Sequence, residues 1–424
     1  MRDTLRWLDD RLPIINTFER HLSKHPVPAW TNFWYLFGAM ATAVFAIQII
    51  TGVWLMMNYE NAEEKAFDSV QYIMRDVELG WLLRYFHSTG ASFLFIVVYL
   101  HMFRGLLYGS YRKPRELVWI LGVLLFLVMM GEGFFGYVLP FGQMSYWGAQ
   151  VIVSLFGAVP LIGDSLVEWF RGDYVISGAT LGRFVALHAV VLPLAMVALI
   201  FLHIVALHES GAGNPDGVDL EAKLDKDGVP IGSIPFFPYK VLQAIFAISI
   251  MMILFCVVAF YIPKFFGFFL EAPNFEKANW LKTPEHIVPV WYFMPFYAML
   301  RASTVPFLGL DAKFWGLVVM VTAILVLFIL PWLDRSAAHS MRYKGMFSKL
   351  SLSALIISFI SLGYLGAVPV SEGRELMTQF FTLIYFAHFL LMPLYTKYEQ
   401  SRPVIDPRDQ KQQQPPRQTA APTT

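Results

Sequence analysis

The sequence predicts an all-α polytopic membrane protein with eight transmembrane helices. Of its 424 residues, 57% are hydrophobic and only 15% are charged. The mean hydropathy of +0.53 lies beyond what a soluble domain of this size shows. Eight apolar stretches are long enough to cross a hydrocarbon layer of about 30 Å at about 1.5 Å per residue. They fall at 34–56, 82–107, 117–138, 180–207, 240–262, 313–333, 350–369 and 376–395. The third observation is that basic residues gather in alternate loops. Net charge is +1, which leaves no electrostatic footprint for nucleic acid. The single cysteine, Cys256, lies in an apolar run and excludes an intrachain disulfide, a zinc site or an iron–sulfur cluster in this chain.

Residues 1–33 have no uninterrupted apolar core, so they read as no cleavable leader. Trp7, Leu8, Leu12, Ile15 and Phe18 instead predict an amphipathic helix on the membrane surface. Between the third and fourth spans, Pro140, Gly142, Pro160 and Gly163 break an apolar segment into short helices along one face. A second long connection, 263–312, is rich in proline and aromatic residues. Residues 34–210 form one bundle and 211–396 a second helical part of four spans. The polar run QKQQQPPRQ makes 397–424 a disordered tail. Arg2, Arg6, Arg11, Arg20 and Lys24 precede the first span, and Arg112, Lys113 and Arg115 follow the second. Arg335, Arg342, Lys344 and Lys349 separate the sixth and seventh. With eight spans these share a side, so both termini are cytoplasmic, in a cell's inner membrane, and the two long loops face outward.

The second span carries His87 and His101, fourteen residues apart. That interval returns a side chain to within roughly 40° of one face, about 21 Å further along. The fourth span carries His188 and His203, fifteen apart, at about 60° and about 22 Å. Both helices enter from the outer side, so His87 pairs with His188 near that side and His101 with His203 near the cytoplasm. Two bis-imidazole sites at two depths are what a pair of b-type haems requires. A proton relay or a transporter's metal site would also use membrane histidines. The first span repeats the fourteen-residue interval as Gly38 and Gly52, the third as Gly122 and Gly136. A flat macrocycle between helices needs such close backbone approach, although glycine also serves helix packing alone. Arg84, Arg104 and Arg183, near the membrane edges, could pair with haem propionates or simply snorkel to the interface.

Four long stretches carry a family resemblance: RYFHSTGASFLFIVVYLHMFRGLLYGSY, GYVLPFGQMSYWGAQVI at 136–152, LHESGAGNP at 207–215 and PEHIVPVWYFMPFYAMLRA at 284–302. From about residue 30 to 395 the chain resembles the cytochrome b subunit of quinol–cytochrome c oxidoreductase (cytochrome bc) complexes, bacterial type. The resemblance implies a dihaem four-helix bundle, quinol oxidation at the outer face, quinone reduction at the inner one, and a proton gradient built by the circuit. It also implies a Rieske-type iron–sulfur protein and a c-type cytochrome subunit as partners, and a homodimer of the complex. The implied outer pocket brings Tyr137, Gly142, Met144 and Trp147 to Pro289, Val290, Trp291 and Tyr292. The implied inner site uses His208 and Asn214 beside Phe37, Gly38 and Ala39.

The chain departs from the family at three places. Pro289-Val290-Trp291-Tyr292 lacks the carboxylate of the usual Pro-Glu-Trp-Tyr. A quinol gives up electrons only with its protons, so proton removal is assigned to Glu285, with His286 and Tyr292 as secondary candidates; an idle exposed loop carboxylate is the alternative. Lys240-Val241 stands where relatives have Lys-Asp. The interval from His188 to His203 is fifteen, as in chloroplast relatives, so assignment to the bc branch rests on chain continuity and the eighth span. Two other functions remain open at this point. A dihaem anchor of another quinone-linked dehydrogenase would share the histidines but not the long aromatic loops. A proton-coupled transporter would show inverted repeats.

Overall fold

A computed structural model of the protein describes residues 7, 9–13, 19 and 23–412. Leu8, Ile15 and Phe18 of the expected surface helix lie outside the described residues. Among the described residues, eight helices are long and apolar enough to span a membrane: Phe33–Met56, Gly80–Tyr108, Glu116–Val138, Gly178–Ser210, Phe236–Tyr261, Ala312–Leu333, Met346–Ala367 and Glu372–Tyr398. Each coincides with an expected span to within a few residues. In hydrocarbon only a helix satisfies every backbone N–H and C=O within one segment, so an apolar run of this length has one conformation to choose.

Within these spans and the loops we number the regular helices α1 (Phe37–Met56), α2 (Ala66–Arg75), α3 (Gly80–Tyr108), α4 (Glu116–Val138), α5 (Gln143–Leu155), α6 (Gly163–Arg171), α7 (Gly178–Ala186), α8 (Leu192–Ser210), α9 (Val241–Tyr261), α10 (Met294–Arg301), α11 (Ala312–Leu333), α12 (Met346–Ala367), α13 (Glu372–Tyr398) and α14 (Pro407–Gln412). Local sequence sets the ends. α3 stops where Gly109 turns left-handed at φ 67° and its N–H caps the Gly105 carbonyl. α7 starts at Ser177, whose hydroxyl and that of Thr180 form a reciprocal capping box.

α1 packs along α3, and α4 along α8, with little contact between α3 and α4; these two pairs make the first bundle. In the second part α11, α12 and α13 gather round the short α10, and α9 leans on α3 and α1. One continuous core runs through both parts, from Val44, Phe95 and Phe126 to Phe296, Leu330 and Phe389. The expected halves therefore share their interior.

At the loop end of the bundle, α5 and α6 are the short helices expected between the third and fourth spans. They are laced to the second long connection. Gln143 N–H donates to the Glu276 carbonyl at 2.9 Å, its side chain bonds Asn279 N and the Lys282 carbonyl, and Ser145 N–H reaches Asn274 Oδ1 at 2.9 Å. At the opposite end, strands β1 (Pro26–Pro28) and β2 (Ser233–Pro235) pair antiparallel, Val27 facing Ile234. Here Asp334 is buried among Lys344, Tyr111 and Arg112.

The disordered tail is corrected over 399–412. Glu399 binds Ser348 N–H and hydroxyl, Arg402 N–H donates to the Tyr343 carbonyl at 2.7 Å, and Lys223 pairs with Asp406 and Asp409. Arg408 is buried, bonding Asp406 and the Leu220 and Asp219 carbonyls. Composition signals disorder there, but long-range ion pairs order the segment. Residues 413–424 lie outside the described residues.

Candidate redox centre and quinone pockets

The four span histidines meet in the expected pairs. Ring centroids of His87 and His188 lie 6.1 Å apart, and those of His101 and His203 lie 6.3 Å apart. An ion bonded to both imidazoles at roughly 2 Å per bond puts ring centres about 6 Å apart. The extra residue between His188 and His203 is taken up in a wide turn at Leu187–Val191, where Leu192 N–H donates to the Leu187 carbonyl five residues back. Pro193, with no N–H to offer, follows directly. The fifteen-residue interval thus keeps the register of the fourteen-residue one on α3.

Each interval glycine serves one histidine. A Cβ on Gly52 would come 3.1 Å from His87 Cε1, one on Gly38 3.2 Å from His101 Cε1, and one on Gly122 3.3 Å from His203 Cε1. At Gly136 a Cβ would collide with the His188 ring. The glycines are therefore where each imidazole rests against the neighbouring backbone.

The rings are also oriented. Thr51 donates its hydroxyl proton to the Ile47 carbonyl at 2.6 Å, so at 2.9 Å it accepts from His87 Nδ1–H. His188 Nδ1 faces Glu132 Oε2 at 2.6 Å and the Glu132 carbonyl at 3.0 Å, both acceptors. With Nδ1 protonated, Nε2 of each ring keeps its lone pair for a metal. Glu132 was missed in the sequence; a carboxyl inside a span was itself the signal. Arg84 Nη1 and Arg104 Nε are buried without a hydrogen-bond partner, three residues from His87 and His101. Such donors suit the propionates of a haem, and together with paired, oriented imidazoles and close glycines they fit that group. Arg183 does not join them. It is exposed, donates to the Trp169 carbonyl and closes over Gly172. Its position at the start of the fourth span made the two uses indistinguishable in sequence.

At the loop end, Tyr292 stacks on Phe95 at 3.7 Å with rings 6° from parallel, and its carbonyl accepts from Tyr99 Oη at 2.7 Å. Trp291 donates Nε1–H to Ser92 Oγ at 3.1 Å. Phe269 lies beside Trp291 at 6.3 Å. Val290 and Met144 are buried, and Pro289 is half-buried. Gly142 and Trp147 belong to the lacing instead: a Cβ on Gly142 would strike Asn274, and Trp147 Nε1–H donates to the Asn279 carbonyl at 3.3 Å. Glu285 and His286 are exposed, His286 lying 3.3 Å from the Ala367 carbonyl. A different carboxyl lies inward. Glu271 Oε2 accepts from Tyr137 Oη at 2.9 Å, and burial pushes its carboxyl up to about 7. The sequence signal was a lone acid in the aromatic run FFGFFLEAP.

At the opposite end, the His208 ring lies 4.2 Å from that of His25. Asn214 is fully buried and spent on its own loop, donating to the Val218 carbonyl and accepting from Asp216 N and Val218 N. It shapes the turn after α8 and offers no free amide to a quinone. Lys240 is buried and donates to Thr31 Oγ1 and to Gln243 Oε1 at 3.1 Å, neutral oxygens where an acid was expected.

Fold and site define an integral membrane protein of eight spans whose first bundle stacks two imidazole pairs across its depth. The family model "Cytochrome b/b6/petB" matches residues 22–211, and "Cytochrome b(C-terminal)/b6/petD" matches residues 277–386. The chain is 53% identical to cytochrome b of Allochromatium vinosum, over 95% of this chain and 97% of that one. It is 44% identical to cytochrome b of Rhodospirillum rubrum, over 94% of each. A solved chain of a hyperthermophilic respiratory Complex III matches with a TM-score of 0.83 and 34% identity, over 92% of this chain and 98% of that one. The chain belongs to the cytochrome b family, as the cytochrome b of a quinol–cytochrome c oxidoreductase. Membership carries b-type haem binding and interaction with quinone. The dehydrogenase-anchor and transporter readings are set aside.

Proposed function

We propose that His87 with His188, and His101 with His203, hold two b-type haems at two depths. When bound, such groups supply one-electron carriers spaced across the membrane. The observation that carries this is the double pairing at 6.1 and 6.3 Å, with one glycine behind each ring. Thr51 and Glu132 fix the two outer rings as Nε2 ligands. Arg84 and Arg104 supply buried cations for propionates. Trp291, Tyr292, Val290, Met144 and Tyr137 bound an apolar outer quinol pocket, and His208 holds a quinone carbonyl at the other end. The loop end faces outward across the cell's inner membrane, with both termini cytoplasmic, because the basic loops lie at the opposite end. The laced loops 139–170 and 263–295 receive a Rieske-type iron–sulfur protein beside a c-type cytochrome, in a homodimeric complex.

A reduced-minus-oxidised spectrum of membranes, titrated against potential, tests this. Two b components are expected; H188A should remove one and H203A the other. A single component in the wild type would sink the assignment.

A further inference from the structure

The outer pocket as read above has an aromatic wall and no carboxylate at Val290, yet quinol oxidation needs a base within reach. Glu271 sits where the connection after α9 crosses the end of α4. Its Oε2 accepts from Tyr137 Oη at 2.9 Å. Tyr137 follows Gly136, the glycine that backs His188. Two residues before Glu271, Phe269 lies along Trp291 at 26°, and Leu270 is buried between them. Glu271 is thus bracketed by both walls of the pocket, while Glu285 is exposed.

We propose that Glu271 is the proton acceptor of the outer quinol site, replacing the carboxylate absent at Val290, with Tyr137 as its positioning residue. The role passes from Glu285 to Glu271, and it rests on the outer-pocket reading. The step is a proton transfer. The quinol O–H bond breaks, a new O–H forms on the Glu271 carboxylate, and the electrons leave toward cytochrome c, the oxidant of the established reaction. Tyr137 Oη holds one carboxylate oxygen and so fixes where the carboxyl sits at the end of α4.

Burial holds the Glu271 carboxyl at about 7, and the Tyr137 hydrogen bond opposes that rise. The titratable groups that face it are Tyr137 from α4 and Tyr292 from the turn ahead of α10. Burial pushes the Tyr292 hydroxyl up, and the Glu271 charge adds to the push. A carboxyl poised near 7 is half ionised at neutral pH, the condition under which a general base works best.

The test is quinol–cytochrome c reductase activity of the intact complex in membranes from pH 5.5 to 8.5, with the b-haem spectrum as the measure of assembly. The wild type should rise through about pH 7; no reductase activity in an assembled wild type would overturn the outer-pocket reading itself. Against an active wild type, E271Q should lose on the order of a hundredfold and lose the rising limb, with E271Q/V290E regaining part of both. E271Q with wild-type rate and pH profile, or E285Q suffering the larger loss, overturns the assignment. Should E271Q fail to assemble, Y137F decides. Removing the bond that restrains the carboxyl should move the rising limb to higher pH; an unmoved limb overturns the proposal.

Discussion

At the residue scale, the two histidine pairs are not equivalent. His188 Nδ1 faces a carboxylate oxygen of Glu132 at 2.6 Å, His87 a hydroxyl, and His101 the Arg104 guanidinium at 3.3 Å. A carboxylate behind a ligand imidazole raises its basicity and favours the ferric state. E132Q should therefore raise the midpoint potential of the outer b component, by on the order of 60 mV for each tenfold loss of ferric preference. The inner component should not move, and a shift of both would count against a local effect. Gly136 gives a second check. G136A places a methyl into the His188 ring, so it should abolish the outer component, while G122A, whose methyl would lie a tight 3.3 Å from His203 Cε1, only weakens the inner one. The histidines and glycines were legible because their recurring interval places each pair on one face of its own helix, and Arg84 and Arg104 because each lies three residues from a histidine. Glu132 and Glu271 each left a sequence signal, but their roles emerge only with the partners the fold brings to them, His188 and Tyr137.

At the element scale, the wide turn at Leu187–Val191 explains how one helix holds fifteen residues where its neighbour holds fourteen. Deleting Val190, exposed in that turn, together with P193A should give a regular helix with a fourteen-residue interval and retain both b components. Deleting Ala198, below the turn, should rotate His203 off the shared face by about 100° and lose one component. Spectra of the two deletions measure this. Spans and breakers were readable in sequence to within a few residues, since length and hydropathy alone decide them. The turn was not, because Pro193 in a long apolar run predicts a disturbance without saying whether a residue is gained. The order of 399–412 escaped for a similar reason: Lys223, Asp406 and Arg408 become a cluster only once α8, α12 and α13 are packed.

At the scale of the whole molecule, stability depends on a buried ion cluster at the terminal end. Asp334 is wholly buried against Lys344 and Tyr111. Burial alone would raise its carboxyl, but Lys344 and Arg112 prevail and hold it below the ordinary 3.8. A depressed carboxyl contributes stability that is full above its unfolded value and lost as pH falls through the folded one. Thermal unfolding of the purified protein should thus show this contribution intact at neutral pH and vanishing below about pH 4. D334N strands the Lys344 ammonium and should cost about 3–5 kcal/mol at pH 7, flattening the acid limb.

The interior that runs unbroken from Val44 to Phe389 has a further consequence. Between Asp225 and Val229 the chain makes a small exposed turn, closed by Val229 N–H on Asp225 Oδ1 and open around Gly228. Nothing buried passes through that turn. Cut there, the polypeptide would remain one object, its two pieces joined by side chains instead of a peptide bond. The unit that must stay whole is the interior, and the single thread of chain is only one of the ways to bring its parts together.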